Sequence, residues 1–124
     1  MISVSEEEFQ NYMEKALEAI PEAFSSKMDN IVFIIEPYPS ENDLSRLGLN
    51  DRRQLLGLYS GIPYTRRDTG YMGTMPDRII LFQKNIESLC RTEEQLVDKI
   101  KEVVIHEVAH YFGMDDEEIR NAGF

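Results

Sequence analysis

The sequence holds a single cysteine, Cys90, among its 124 residues. One thiol cannot close a disulfide within the chain, so a disulfide-stapled scaffold is excluded and a reducing compartment is expected. Cations are scarce too. Thirteen Lys and Arg stand against 23 Asp and Glu, a net charge of -10. That field repels phosphate backbones and anionic membranes, so neither nucleic acid nor a membrane is expected as a partner. Long apolar runs are missing. The longest, Ile31-Val32-Phe33-Ile34-Ile35, falls far short of the ~20 residues that span a bilayer. Ser3 to Glu8 is acidic where a signal peptide is basic, and no apolar stretch follows. Repeats, low-complexity tracts and linkers are absent. What remains is one cytoplasmic globular domain over residues 1–124. Its 42% hydrophobic and 29% charged residues are enough for a core and a soluble surface.

What is present reads as alternating helices and strands. Phe9, Met13, Ala16, Leu17 and Ile20 recur at helical spacing over residues 6–20. Ser5 with Glu8 three later is a capping box, and Pro21 ends the helix. Residues 31–36 are β-branched and apolar, which predicts a buried strand. A short helix is expected at 41–47, between a Ser40 cap and a Gly48 stop. Leu55 to Tyr59 predicts a strand that Gly57 weakens. Residues 61–76, with three glycines and two prolines, predict a long functional loop. Residues 78–82 predict another strand and 84–90 a short helix. Thr92-Glu93-Glu94-Gln95 is a second capping box. It opens a helix to about Phe112 with Leu96, Ile100, Val104, Val108 and Tyr111 on one face. Gly113 ends it in a left-handed conformation. A last helical piece is expected at 116–121.

The only two histidines, His106 and His110, are four apart in that helix. Positions i and i+4 project from one side, so two imidazoles there can reach one metal ion. Glu107 is rotated about 100° from His106. It points past the ion, towards a water that the ion would bind. Val103, Ile105, Val108 and Ala109 surround the pair, which places it at the edge of a core. Two histidines leave zinc short of ligands. The motif continues as His-Glu-x-x-His-x-x-Gly-x-x-Asp. Gly113 allows a sharp reversal, after which Asp116 can swing back under the metal, with Asp115 or Glu117 as alternatives. Asp115 to Glu118 also read as an acidic cap for the last helix, and both roles can hold at once.

The string His106 to Asp116 resembles the long zinc motif of metzincin-type peptidases, with Asp for the usual third His. More of the chain resembles a bacterial family of small zincin-like metallopeptidases. The matching pieces are the helix from Phe9 to Ile20-Pro21, Leu55-Leu56-Gly57-Leu58-Tyr59 with Gly61 and Pro63, Pro76-x-x-Ile79-x-Leu81-Phe82, and the terminal motif. The resemblance implies an α+β minimal zincin, a small mixed sheet packed on helices that include the motif helix. It implies one zinc ion on His106, His110 and Asp116, with Glu107 as the catalytic base of peptide-bond hydrolysis. The partner is then a peptide or protein substrate. The metzincin Met-containing turn has no counterpart, because eight residues follow Asp116. Met72, Met75 and Met114 are not equivalent by position. Tyr64, Arg66, Arg67 and Tyr71 are the candidates for binding substrate or stabilising an oxyanion. The rival expectation is a weak or inactive zinc-binding protein that acts through a partner.

Overall fold

Periodicity sets the helices, and their ends are written in single residues. The structure is a computed structural model that describes residues 1–61 and 76–123. Helix α1 (Glu6–Glu18) starts where Ser5 Oγ accepts the Glu8 N–H at 3.0 Å. It stops before Ile20-Pro21, two residues earlier than the apolar spacing implies, because proline biases its predecessor away from helix. A four-residue helix α2 (Glu22–Ser25) follows, with Pro21 as its N-cap. Helix α3 (Glu41–Leu47) has a complete capping box between Ser40 and Asp43, and Gly48 ends it at φ +68°. The 3-10 turn Arg52–Gln54 and α4 (Gln83–Ser88) flank the sheet strands. Helix α5 (Glu93–Tyr111) is the longest described element. Its capping box is half-built. Thr92 Oγ1 accepts the Gln95 N–H at 3.1 Å, but the Gln95 side chain returns to the Arg91 N–H at 2.8 Å instead of Thr92. Helix α6 (Asp116–Asn121) closes the described chain.

Among the described residues, three strands form one mixed sheet in the order β1 (Ile31–Glu36), β3 (Asp77–Phe82), β2 (Gly57–Ser60). Strands β1 and β3 are parallel, with Phe33 beside Ile79, and β2 and β3 antiparallel, with Leu58 beside Ile80. The architecture is α+β. The strand expected to be buried, β1, lies at an edge among the described strands, and none of its residues is fully buried. Its run of β-branched residues reflects half-burial on a pleated edge. The central strand is β3, where only Arg78 is exposed among six residues. Ile79 and Leu81 face the main core with Phe9, Met13, Leu96, Ile100 and Val104, while Ile80 and Phe82 face a smaller cluster with Leu58. The five residues predicted to share one face of α5 are all buried. Among the described residues no helix is long and apolar enough to cross a membrane.

The N-terminal arm is tied to α4. Glu87, 2% exposed, accepts the Val4 N–H at 2.9 Å and the Gln83 amide at 3.1 Å, with Lys84 Nζ at 3.4 Å. Strand β2 lies directly on α5. A Cβ on Gly57 would sit 2.8 Å from Val103 Cγ1 and 3.1 Å from Glu107 Cγ. The glycine that weakens the strand pattern is therefore what lets the sheet edge reach the motif helix.

Candidate metal centre

Helix α5 carries the site on its last two turns and the turn after it. Tyr111 fixes that end of the helix. It is fully buried, and its hydroxyl accepts the Asp29 N–H at 3.2 Å and donates to the Lys27 carbonyl at 3.3 Å. Past the helix, Gly113 takes φ +89°. The Gly113 N–H then reaches the His110 carbonyl at 2.9 Å and the Met114 N–H the Ala109 carbonyl at 3.1 Å. This pair is a Schellman motif, which an L side chain at Gly113 would strain. The chain reverses and enters α6 at Asp116.

The reversal brings three donor atoms together. His106 Nε2 and His110 Nε2 are 3.2 Å apart, and Asp116 Oδ1 is 3.1 Å from each. A tetrahedral zinc ion with bonds of about 2.0–2.1 Å sets its ligand atoms about 3.3 Å apart. The triangle has that size, and two imidazoles with one carboxylate are the donor types zinc takes. His110 Nδ1 donates to the Met114 carbonyl at 3.0 Å. A carbonyl only accepts, so the proton of neutral His110 sits on Nδ1 and the Nε2 lone pair faces the triangle.

Glu107 stands beside this triangle with a carboxylate oxygen within 4.8 Å of both histidine donors. It is 6% exposed, whereas the Asp116 side chain is 73% exposed. Burial under β2 pushes the Glu107 carboxyl up to about 7, and the Asp116 charge adds to the rise. A hydrogen bond from the Tyr59 backbone N–H opposes it. That N–H is available because Phe82 N–H pairs with the Leu56 carbonyl. In an antiparallel ladder the alternate residues Gly57 and Tyr59 then turn their backbone groups away from β3. Tyr59 is held in turn by its hydroxyl, which donates to buried Asp77 at 2.7 Å. A cleft of about 520 Å³ opens over Glu107, His106, His110 and Asp116, walled by Leu58 and Tyr59 on one side and Leu47 on another.

The structure thus brings His106, Glu107, His110 and Asp116 together, with Gly113 at the turn. Asp115 is turned to another task, since its Oδ1 accepts the Glu118 N–H at 2.8 Å. Tyr64, Arg66, Arg67 and Tyr71, and nearly all of the loop expected at 61–76, lie outside the described residues. Sequence reasoning missed the Tyr59 N–H on Glu107 and the Met114 carbonyl on His110. Backbone groups carry no sequence signature, so only the ladder pattern and the Gly113 turn hint at them.

Among curated proteins, none matches this chain. A family model described as zincin-like metallopeptidase matches residues 28–123, which takes in the whole sheet and the motif helix. By that match the chain belongs to the zincin-like metallopeptidase family.

Proposed function

We propose that the protein is a zinc-dependent metallopeptidase in which His106, His110 and Asp116 hold one zinc ion and Glu107 is the general base. The observation that carries this reading is the triangle of donor atoms at 3.1–3.2 Å with a buried carboxylate beside it. Bound there, zinc would supply positive charge that polarises a peptide carbonyl and acidifies water. Glu107 takes a proton from a water in the cleft as that water attacks the carbonyl carbon. It then gives the proton to the amine as the C–N bond breaks. Burial under β2, with or without the ion, raises the affinity of Glu107 for a proton, which suits it to take one. The Tyr59 N–H keeps the carboxylate aimed along the cleft. Among the described strands β2 lies at an edge of the sheet beside the cleft, and an extended substrate peptide is proposed to run along it.

The reading is tested with zinc-loaded protein and a peptide library drawn from a proteome digest. Cleavage by the unmutated chain, lost in Glu107→Gln while zinc is retained, supports it. Stoichiometric zinc with no cleavage of any peptide would leave the partner-binding alternative instead.

A further inference from the structure

The turn from α5 to α6 has a second fastening besides Gly113. Asp115 keeps extended backbone, at φ -86° and ψ 173°, and caps α6. Its Oδ1 accepts the Glu118 N–H at 2.8 Å, and Glu118 Oε1 accepts the Asp115 N–H at 3.2 Å. Both arms of a capping box are present. The box sits between the two groups that complete the metal triangle. On one side is Met114, whose carbonyl orients His110 at 3.0 Å. On the other is Asp116, the first residue of α6, whose Oδ1 is 3.1 Å from both imidazoles.

Asp116 needs such help. Its side chain is 73% exposed, so no packing fixes the carboxylate and its direction comes from the backbone. Helix α6 has six residues, and Ile119 is its one buried residue. A helix so short is not stable by itself, because nucleation costs more than a few hydrogen bonds return. The cap and the Ile119 anchor together hold the turn.

We propose that Asp115 is a positioning residue of the metal site. By capping α6 it holds the Asp116 carboxylate and the Met114 carbonyl in place, without touching the ion. The proposal rests on the reading that His106, His110 and Asp116 bind a metal. It assigns Asp115 a part that is neither ligand nor nearby charge, and substitutions separate the three. Asn and Ser cap helices about as well as Asp. Neither carries charge, and Ser is too short to reach the ion. Ala caps nothing.

The experiment measures Zn²⁺ affinity of the full chain by competition with a chromogenic chelator, for Asp115→Ala, Asp115→Asn, Asp115→Ser and Asp116→Ala. Partners that orient metal ligands are typically worth about 10- to 100-fold in affinity, so Asp115→Ala should lose about that much. Asp115→Asn and Asp115→Ser should bind as the unmutated chain does, and Asp116→Ala should lose most. The visible spectrum of the Co²⁺-loaded chain gives a second readout. It should change in Asp115→Ala and stay the same in Asp115→Asn. Should Asp115→Ala fail to fold, Glu118→Ala, which removes the other arm of the box, takes its place and should also weaken binding. Retained binding in Asp115→Asn and Asp115→Ser, with weakened binding in that variant, upholds the capping role. Loss in both, or an Asp115→Ala chain that binds zinc undiminished, overturns it. An unmutated chain that takes up no zinc would instead sink the metallopeptidase reading on which the proposal stands.

Discussion

Glu87 and Glu107 are both helix residues with buried carboxylates, 2% and 6% exposed, and they live in opposite surroundings. Glu87 is met by donors: the Val4 N–H, the Gln83 amide and the Lys84 ammonium. It fastens the N-terminal arm to α4. Glu107 has the Tyr59 N–H, but it also faces the negative Asp116 and is pushed up to about 7. Burial alone therefore does not mark a reactive group. A buried carboxylate whose donors match its charge is a fastening, and one left short of them is poised to take a proton.

The comparison breaks most visibly in hydrolysis. Glu107→Gln should lower cleavage of a confirmed substrate by about 100-fold or more, the ordinary worth of a general base. Glu87→Gln should leave the rate per folded molecule unchanged. Equal losses in both variants would erase the distinction.

Stability should respond in the opposite sense. Glu87→Ala leaves the part-buried Val4 N–H without its acceptor and takes one of two acceptors from the Gln83 amide, which keeps the Val4 carbonyl. It should cost about 1–3 kcal/mol, read by urea denaturation. Glu107→Gln should not destabilise the metal-free protein at pH 8.

The pH dependence sharpens this. The Glu107 carboxyl rises from an ordinary 4.5 to about 7 on folding. Between those values the folded chain holds a proton that the unfolded chain has lost. The metal-free protein should therefore lose stability as pH rises through this window, by about 3 kcal/mol in all. Below pH 4.5 both states hold the proton, so stability stays at its full value and no longer changes with this group, and Glu107→Gln should flatten the curve. A metal-free chain whose stability is the same function of pH with and without Glu107 would contradict the raised value.

The smallest effect concerns the strand that buries Glu107. Gly57→Ala pushes a Cβ to 2.8 Å from Val103 Cγ1. Such overpacking should cost about 1–3 kcal/mol. It should also lift β2 off α5, which exposes Glu107 and brings its titration back towards the ordinary value. An Ala variant as stable as the parent would mean that the close approach is not needed.

Much of this molecule is legible in its sequence, because local rules act through single residues. Ser5, Ser40, Thr92, Gly48 and Gly113 mark helix ends where the chain begins or stops its helices. The α5 stripe is legible because five apolar residues repeat at one period. Strand burial is not legible in the same way. The apolar runs of β1 and β3 look alike, and only the order of the described strands sets one at the edge and the other at the centre. At the site, His106, Glu107 and His110 announce themselves by spacing on one helix. Asp116 was one of three acidic neighbours, and its approach to both histidines comes after the chain reverses at Gly113. The Asp115-x-x-Glu118 box follows the same pattern as the one at Ser40. Its bearing on the metal triangle emerges only when the turn is folded. Tyr59 acts through its backbone, which no side-chain pattern encodes.

The central claim is that the triangle of His106, His110 and Asp116 is a zinc site. Elemental analysis of the full chain, purified without chelator, reconstituted with zinc and freed of excess metal, tests it most directly. We predict about one zinc per chain, abolished in His106→Ala and His110→Ala. A reconstituted, folded chain that carries no zinc, or one that keeps its zinc after both histidines are replaced, would contradict the claim.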